Sequence, residues 1–552
     1  MVLPEKIPPR PGYEITIKYI YDRALTIFPY MEIVYRTSQG KGKYTFSDAS
    51  FRVESLANAL ASLGVGGLDR VATLDWNTHW HYETYFAVPM MGAVLHPVNI
   101  RLAPNEIAYI MNNAEDKVVI VHSDFIKLAE AVLPHVKSVE SVIIVDADSV
   151  PDKVGGKKAY HYEDLIKEHS GRYDWPEVDE DRPAAMGYTS GTTGLPKGAY
   201  HSHKMIVVHA MSGALQLATL GKRKVTAEDT LLHIVPMFHV YAWGLPYIAT
   251  MLGVKQVFPG RLDPKVLLDL IAEERVTMTA GVPTILYMLL AHPESQNYDL
   301  SGLLFVNGGQ ALPRGLAELA RKRGIEVMVG YGMTETAPIL TLATVPPKFR
   351  DRWDDLSLTT GWPIPLVELR VVNPETMEPV PKDGKTMGEI VVRAPWITPE
   401  YYKDVEKTEK AWRGGWFHTG DIAVWFEEGY VLIVDRDKDV IKSGGEWISS
   451  VRLESAISQH PGVAQVAVIG VKHEKWQERP VAIIVPKSGW ENKITTEEIT
   501  RFLTENFVEK GEIPKWWLPD RVVVVDDLPK TSVGKINKRA LREKFKDLLI
   551  SG

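Results

Sequence analysis

The sequence predicts an α/β fold with a large N-terminal domain of mostly parallel sheets flanked by helices, a small β subdomain, and then a smaller α+β domain. The chain has 552 residues, which is too long for one hydrophobic core and predicts two or three domains. Between about residues 60 and 340, short apolar segments typical of strands alternate with amphipathic segments typical of helices. From about 360 to 435 the helix signals fade and the strands lie closer together, which indicates the β subdomain.

Several strands in the alternating region can be identified individually. Residues 118–121 and 142–145 are continuous Val/Ile runs, and such runs are typical of strands buried on both faces of a parallel sheet. Residues 303–307, a helix over about 313–323, and residues 326–330 form a strand–helix–strand unit. Glycines follow both of its strands. Because ligands of open α/β sheets bind beyond the carboxyl ends of strands, we expect a nucleotide there.

A charged connector marks the predicted domain boundary. Residues 435–439, DRDKD, follow an apolar strand predicted over 430–434. We therefore divide the chain into an N-terminal domain, 1–435, and a C-terminal domain, 436–552.

The C-terminal domain has its own pattern of elements. Two apolar runs, 463–471 and 479–486, predict paired strands. Thr495 and Glu498 have the spacing of a capping box, which predicts the start of a helix that extends to about Lys510. Paired strands with a capped helix are typical of a compact α+β unit.

Composition excludes several classes of function. The formal net charge is −7 and no basic run is interleaved with aromatic residues, so we expect no nucleic-acid partner. The 16 histidines are scattered without the spacing of metal ligands, which argues against a structural zinc or haem site. There is no cysteine, which excludes disulfides and any thioester on an enzyme cysteine. A reacting thiol must therefore come from a second substrate.

One long apolar run, 234–254, lies within the ~17–25 residue length of a membrane span. Pro236, His239, Gly244 and Pro246 interrupt it and favour a buried strand–turn–helix that lines a pocket. The N-terminus is polar and proline-rich, unlike a signal peptide. We therefore expect a cytoplasmic protein without an integral membrane segment.

The most informative segment is residues 188–198, YTSGTTGLPKG. Glycines allow backbone N–H groups to approach an anion closely, hydroxyls donate to phosphate oxygens, and a lysine adds positive charge. The spacing differs from that of the usual P-loop, G-x-x-x-x-G-K-[ST]. The segment nevertheless predicts a loop that binds a polyphosphate. The residues predicted to bind it are Thr189, Ser190, Gly191, Thr192, Thr193, Gly194 and Lys197.

This segment resembles the phosphate-binding signature of the adenylate-forming superfamily, which includes acyl-CoA synthetases, aryl-CoA ligases, peptide-synthetase adenylation domains and firefly-type luciferases. Six further motifs of the superfamily recur in order, so the resemblance covers most of the chain. The branch it resembles is that of bacterial and archaeal medium- to long-chain fatty acyl-CoA synthetases. The six motifs are VPMFHVYAWG (235–244), VNGGQALP (306–313), GYGMTET (330–336), WFHTGD (416–421), DRDKDVIKSGGEW (435–447) and PKTSVGK (529–535).

The resemblance implies a two-step reaction with ATP and CoA as co-substrates and Mg²⁺ as cofactor. A carboxylic acid attacks the α-phosphate of ATP to form an acyl-adenylate and pyrophosphate, and the CoA thiol then displaces AMP. Both steps develop negative charge, so positioning and electrostatic stabilisation are what the protein must supply.

The same motifs imply roles in nucleotide binding. Glu335 and Thr189 correspond to metal ligands, and magnesium favours few protein oxygens together with phosphates and water. Tyr331 corresponds to the residue that lies against adenine. Asp421 corresponds to the acid that accepts hydrogen bonds from both ribose hydroxyls, and Arg436 corresponds to a second residue that contacts ribose. The further nucleotide contacts are Gly309, Gln310, Gly330, Gly332 and Thr334, with Lys535.

Catalysis is assigned by resemblance as well. Lys535 is expected to reach the α-phosphate and the carboxylate during adenylation. The smaller domain is mobile in the superfamily, and its rotation about a hinge at Asp437 and Lys438 is expected to remove Lys535 from the site. The catalytic residues implied are Lys535, Lys197, His239 and Glu335, and the segment that rotation brings to the site contains Lys442, Gly444 and Gly445.

Three observations bear on the acid. No Asp or Glu lies between Leu231 and Val257, which disfavours an amino acid because a buried ammonium group would lack its partner. Gly332 stands where acetate- and propionate-activating relatives have a tryptophan, so we expect an acid longer than propionate. Trp447 resembles the gate of the acyl tunnel in bacterial long-chain enzymes, with packing under the small domain as the alternative. The predicted acyl-binding residues are His239, Tyr241, Gly308, Gly332, Met333 and Trp447.

We therefore predict an AMP-forming acyl-CoA synthetase for medium- to long-chain fatty acids. The alternatives are a CoA ligase for a short hydroxy acid such as 4-hydroxybutyrate, for which His239 and Tyr241 offer polar contacts, or for an aryl acid. A fatty acyl-AMP ligase that loads a carrier protein and a luciferase-type oxygenase would share the first half-reaction. A non-catalytic nucleotide-binding protein is disfavoured because Lys535 and Glu335 are both present. The expected partners are the carboxylic acid, ATP and CoA. Relatives with the tryptophan gate include homodimers, which makes a homodimer an alternative to a monomer, but no feature of this sequence specifies an interface.

Overall fold

The computed structural model describes most of the chain, and the described elements alternate between strand and helix over the N-terminal two thirds. Ser190–Gly194, Gly445 and Lys535 lie outside the described residues. The described ranges are 13–189, 195–220, 222–444, 446–530 and 536–549. The strands within them are β1 (Glu32–Thr37), β2 (Gly40–Thr45), β3 (Arg70–Leu74), β4 (Val94–Pro97), β5 (Asp116–His122), β6 (Ser141–Val145), β7 (Lys153–Val154), β8 (Lys157–His161), β9 (Pro183–Thr189), β10 (Lys197–Ser202), β11 (Thr230–Leu232), β12 (Lys255–Phe258), β13 (Met278–Gly281), β14 (Leu304–Asn307), β15 (Glu326–Gly332), β16 (Ile339–Leu342), β17 (Trp362–Pro363), β18 (Glu368–Val372), β19 (Met387–Arg393), β20 (Phe417–Trp425), β21 (Val431–Arg436), β22 (Ile441–Ser443), β23 (Glu446–Ile448), β24 (Val463–His473), β25 (Gln477–Pro486) and β26 (Arg521–Val524).

The α-helices of the described ranges cover the faces of the sheets. They are α1 (Ile17–Ile27), α2 (Phe46–Ser62), α3 (His79–Met90), α4 (Pro104–Ala114), α5 (Ile126–Val132), α6 (Tyr162–Glu168), α7 (His203–Thr219), α8 (Leu245–Leu252), α9 (Pro264–Glu273), α10 (Pro283–Ala291), α11 (Arg314–Lys322), α12 (Trp353–Leu356), α13 (Val405–Ala411), α14 (Ser450–Ile457), α15 (Thr496–Leu503) and α16 (Lys538–Phe545).

The first sheet confirms the two Val/Ile strands. Its order over the described residues is β10-β9-β4-β3-β5-β6-β8-β7. β5 and β6 pair in parallel, and β6 is buried along its whole length. β9 ends at Thr189, and β10 begins at Lys197 and runs antiparallel to it. The predicted phosphate loop therefore connects two hydrogen-bonded strands at one edge of this sheet.

The second sheet contains the predicted strand–helix–strand unit. Its order over the described residues is β17-β16-β15-β14-β13-β11-β12-β1-β2. β13, β14 and β15 are parallel neighbours, with α11 between the last two in sequence. Their carboxyl ends, at Gly281, Asn307 and Gly332, lie along one edge. The nucleotide is predicted to bind at this edge of the sheet.

The small β subdomain is antiparallel, as predicted. Strands β18, β19, β20 and β21 pair in sequence order. β21 ends at Arg436 and the next described strand, β22, belongs to a different sheet and begins at Ile441. The change of sheet thus occurs across the charged connector.

The C-terminal unit pairs β24 with β25 as predicted, but the capping box is only half formed. Thr495 accepts a hydrogen bond from the Glu498 backbone N–H. The Glu498 carboxylate instead accepts from Arg501 and contacts His460. A charged partner one turn along the helix offers the carboxylate a stronger hydrogen bond than a neutral backbone N–H.

The apolar run 234–254 differs from a simple strand–turn–helix. Strand β11 ends before it, and the run begins as irregular backbone that leads into α8. Tyr241, Ala242, Trp243 and Gly244 have φ of 37°, 44°, 58° and 74°. Left-handed backbone is unfavourable for residues with a Cβ, so the surrounding packing must hold this turn. Within the described ranges, no helix is long and apolar enough to cross a membrane.

Candidate active site

A cavity of about 800 Å³ lies where the β9–β10 edge, the carboxyl ends of β13–β15 and the small β subdomain meet. It brings together residues that are distant in the sequence. The predicted residues that line it are Thr189, Lys197, His239, Gly308, Gly309, Gly330, Tyr331, Gly332, Met333, Thr334, Glu335, Arg436, Asp437 and Lys438. The other predicted residues that the structure describes do not line the cavity. They are Tyr241, Gln310, Asp421, Lys442, Gly444 and Trp447.

One end of the cavity carries a tyrosine, an aspartate and an arginine in contact. The Tyr331 hydroxyl donates to Asp421 Oδ2 at 2.7 Å, and Arg436 Nε lies 3.2 Å from Asp421 Oδ1. Asp421 and Arg436 are directly opposite each other on β20 and β21. The neighbouring charge of Asp421 raises the pKa of Arg436. A buried carboxylate with a cation beside it can accept hydrogen bonds from hydroxyl groups, as the predicted contact with ribose requires.

The part of β20 that carries Asp421 is held by a residue that the sequence did not single out. Glu389 on β19 accepts a hydrogen bond from the Gly420 backbone N–H at 3.1 Å and contacts His418 Nδ1 at 2.8 Å. Glu389 and His418 both line the cavity. No pattern near Glu389 distinguishes it from any acid on a strand, so only the fold reveals this contact.

The opposite polar end is cationic. Lys197 lies at the start of β10, and Lys407 and Lys410 of α13 line the same wall. Burial lowers the pKa of Lys197, while the charge of Glu335 opposes that shift. The Thr189 Oγ1 atom is buried without a hydrogen-bond partner among the described residues. Lysine charge and an unsatisfied hydroxyl provide the chemistry that binds phosphate oxygens.

Glu335 is the acid at this end, and its backbone and side chain are both engaged. Its side chain accepts from the Tyr401 hydroxyl at 2.7 Å. Its backbone carbonyl accepts from the Thr398 N–H and lies 3.3 Å from His201 Nε2. Tyr401 and His201 were not identified from the sequence, since neither lies within the motif of Glu335.

His201 also links this acid to the predicted acyl contact Tyr241. Burial lowers the pKa of His201 to about 4, so the ring is neutral at pH 7. Nε2 faces a carbonyl oxygen and must carry the proton, which leaves Nδ1 to accept from the Tyr241 hydroxyl at 3.3 Å. The Tyr241 hydroxyl is therefore directed to His201, and Tyr241 does not line the cavity.

The apolar part of the cavity is built around the left-handed turn. Trp243 lines the cavity, and a Cβ at Gly308 would lie 2.7 Å from its Cη2 atom. A side chain at position 308 would therefore require this indole to shift. Trp243 was not among the residues singled out from the sequence. The other apolar residues of the lining include Leu217, Leu245, Met278, Val306, Ile339 and Leu342.

Gly332 does not open space for the acyl chain, contrary to the expectation from the sequence. Gly332 lines the cavity, but a Cβ built on it would overlap the backbone carbonyl oxygen of Pro338. The space that a side chain at position 332 would occupy is thus filled by the backbone of Pro338 and is not open to the acyl chain. Gly332 is required by this close approach, and its identity carries no simple measure of acyl-chain length.

The predicted hinge residues lie at the cavity and beyond it. Asp437 and Lys438 line it, and burial lowers the pKa of Lys438 to about 8. Lys442 Nζ lies 3.3 Å from Asp437 Oδ1. Gly444 has φ of 61° and packs against Trp476. The Lys442–Gly444 segment is therefore placed beside the connector rather than in the cavity.

Trp447 is half-buried on β23, outside the cavity, and packs against the small β subdomain. Its neighbours are in the cluster formed by Ile422, Val424 and Val434. In this arrangement the indole packs against the small β subdomain. Packing was the alternative to the role of a gate. The gate stays a prediction for other arrangements of the C-terminal unit.

We expect Trp447→Ala to lower the free energy of unfolding by about 2 kcal/mol, roughly half the cost of truncating a fully buried tryptophan. Denaturant unfolding would measure the loss. Trp476→Ala is the control, because Trp476 is 42% exposed and its loss should cost less stability than the loss of Trp447. A selective change in the rate with long acids at unchanged stability would instead support the gate.

The fold and these contacts define an α/β protein with one deep polar and apolar cavity, and comparison with known proteins places the chain in a family. Residues 22–402 match the family of AMP-binding enzymes, and residues 452–535 match the AMP-binding enzyme C-terminal domain. This protein belongs to the AMP-binding enzyme family.

Its relatives include two curated ligases and a solved structure. A long-chain-fatty-acid–CoA ligase of Thermus thermophilus is 45% identical over 97% of this chain and 96% of its own length. A medium-chain-fatty-acid–CoA ligase of Ectopseudomonas oleovorans is 38% identical over 92% of this chain and 91% of its own length. The crystal structure of the anthranilate CoA ligase AuaEII in complex with anthranoyl-AMP superposes with a TM-score of 0.83 at 25% identity, covering 97% of this chain and 98% of that one.

Proposed function

We propose that this protein is an ATP-dependent acyl-CoA synthetase that converts medium- to long-chain fatty acids to acyl-CoA, AMP and pyrophosphate through an acyl-adenylate. One observation carries the proposal: a single cavity joins a cationic end, the side chains of Tyr331 and Arg436 that contact the buried Asp421, and an apolar wall. The names of the two fatty-acid–CoA ligases similar to this chain support the reaction and the substrate class.

In the first half-reaction, the chain's own groups bind and orient the reactants. Asp421 accepts the ribose hydroxyls with Arg436 beside it, and Tyr331 lies at the adenine. Lys197 binds the phosphate chain. The acid lies against the apolar wall with its carboxylate directed to the α-phosphate, so that two anions meet in a site with cations on both sides.

Glu335 and Thr189 are suitable ligands for Mg²⁺. One oxygen of the Glu335 carboxylate is occupied by Tyr401, and Thr189 Oγ1 is buried and unsatisfied among the described residues. No group of three or more His, Cys, Asp or Glu side chains in the described ranges could hold a metal. A site of one carboxylate, one hydroxyl and phosphate oxygens suits magnesium, which when bound would neutralise charge on the phosphates.

The second half-reaction uses the C-terminal domain, 436–552, with Asp437 and Lys438 as the hinge. Rotation would remove Lys535 and bring the segment of Lys442, Gly444 and Gly445 to the acyl-adenylate. The thiol comes from a second substrate, because the chain contains no cysteine, and the names of the similar fatty-acid–CoA ligases support CoA as that substrate. The change of sheet between β21 and β22 supports a hinge at this connector.

The second candidate is a CoA ligase for a short hydroxy acid or an aryl acid. The contact of the Trp243 indole with Gly308 favours it, because an indole in the cavity lining shortens the apolar space. His239 in the same lining could contact a polar substituent.

The test is CoA-dependent AMP release across straight acids from acetate to palmitate, with 4-hydroxybutyrate and benzoate included. We expect the maximum of kcat/KM at acids of about eight carbons or more, because the wall is apolar. A maximum at short, hydroxylated or aryl acids would favour the second candidate. Pyrophosphate release without CoA-dependent turnover would contradict the proposal and indicate a carrier-protein acceptor.

A further inference from the structure

Tyr401 lies between the two charged residues at the phosphate end of the cavity. Its hydroxyl donates to Glu335 Oε1 at 2.7 Å, and Lys197 Nζ lies 3.9 Å from the centre of its ring. Tyr401 lines the cavity and is 5% exposed. One side chain thus contacts the predicted metal ligand through its polar end and the predicted phosphate-binding lysine through its aromatic face.

The backbone around Tyr401 is held against the same two elements. Tyr401 forms a β-bridge with Ala199 of β10, and the Tyr402 N–H donates to the Gly198 carbonyl at 2.8 Å. The Thr408 hydroxyl accepts from the Tyr401 N–H at 2.9 Å. The backbone that carries the ring is therefore held by β10 and by α13.

The chemistry of each contact is directional. A phenol hydroxyl can donate one hydrogen bond to a carboxylate, which fixes the rotation of the carboxylate and leaves its second oxygen available to another ligand. Burial and the charge of Glu335 raise the pKa of the Tyr401 phenol, so the donor stays protonated at pH 7. The ring face attracts the lysine ammonium group by a cation–π interaction, which keeps Lys197 from pairing with Glu335.

We propose that Tyr401 is a positioning residue that orients the Glu335 carboxylate for the divalent cation of MgATP and holds Lys197 apart from that carboxylate until phosphate arrives. The inference rests on the proposed function only in taking Glu335 as the metal ligand. The Tyr401 hydroxyl is assigned to metal-dependent binding of ATP, and the Tyr401 ring is assigned to holding Lys197. Substitutions that remove only the hydroxyl, or the whole ring, therefore separate the two roles.

The hydroxyl is tested with Tyr401→Phe, which keeps the ring. We expect the Kd of MgATP, measured by calorimetry without the acid substrate, to rise by about tenfold, the lower limit for loss of a group that orients a metal ligand. The Kd of ATP in EDTA should stay unchanged, because the metal is then absent. Tyr402→Phe is the matched control, since the neighbouring Tyr402 does not line the cavity, and it should behave as the wild type.

The ring is tested by the rate at which an acetylating reagent modifies Lys197, followed by peptide mass spectrometry. Tyr401→Phe should match the wild-type rate, whereas Tyr401→Leu, which removes the ring face, should raise it by at least about twofold. Thermal unfolding of each variant checks that the fold is retained.

The outcomes distinguish the inference from the proposed function. Equal MgATP affinity in Tyr401→Phe and wild type would overturn the role of the hydroxyl. An equal loss of affinity with and without the metal would also overturn it, because the effect would then be general. Wild-type protein that binds MgATP but releases no pyrophosphate with any acid would contradict the proposed function and leave the role of Tyr401 intact.

Discussion

Lys535→Ala is expected to slow acyl-adenylate formation by at least about a hundredfold, the loss typical when one preorganised electrostatic contact to developing charge is removed. Thioester formation from supplied acyl-AMP and CoA should change much less, because the lysine is withdrawn before that step in the proposed mechanism. Acid-dependent pyrophosphate release measures the first step, and thioester formation from synthetic acyl-AMP measures the second.

The control for this variant comes from the same motif. Lys530 is 47% exposed and lies 4.0 Å from Asp527, so Lys530→Ala removes a lysine of similar sequence context that pairs only weakly. It should leave both half-reactions near the wild-type rate. Equal losses in both half-reactions for Lys535→Ala would contradict its restriction to adenylation.

Gly332→Ala is expected to lower the free energy of unfolding by about 3 kcal/mol or to abolish ATP binding. A Cβ at this position would overlap the carbonyl oxygen of Pro338. Backbone cannot move aside as a flexible side chain can, and overpacking of rigid surroundings costs about 1–3 kcal/mol or more. Denaturant unfolding and calorimetric titration with ATP would measure the two effects.

Gly315→Ala is the matched control, because Gly315 lies on α11 and a Cβ there meets no atom within 4 Å. Alanine favours a helix over glycine by about 1 kcal/mol, so this variant should be as stable as the wild type or more stable. A Gly332→Ala protein of normal stability and ATP affinity would show that the backbone near Pro338 can move. The same steric argument means that Gly332→Trp cannot be used to test acyl-chain length.

The family could be recognised from the sequence because the chemistry of its motifs is encoded over short spans. Glycine, hydroxyl and lysine recur within residues 188–198, and Glu335 lies within its own motif. The parallel strands could be predicted for a similar reason, since the Val/Ile runs of β5 and β6 are long enough to identify buried strands. The antiparallel subdomain followed from the spacing of its strands.

The directions of side chains around residues 241–243 could not be predicted from the sequence. The Tyr241 hydroxyl is directed to His201, and Trp243, which the sequence did not single out, lines the cavity. The left-handed turn that carries both residues has no local sequence signal, since tyrosine, alanine and tryptophan all disfavour positive φ. Only packing in the complete fold stabilises such a turn, so its side-chain directions could not be derived from the order of the residues.

The sequence by itself determined the fold class and the family motifs, because both rest on periodicity or on groups close together in the chain. The domain boundary and the nucleotide-binding residues stay predictions from local patterns of the same kind. Tertiary structure decided the contacts between Tyr401 and Glu335, between Glu389 and the Gly420 backbone on β20, and between Gly332 and Pro338. These depend on the directions of individual side chains and on the close approach of backbone segments. Those distances arise only when the sheets pack against each other, and no local pattern specifies them.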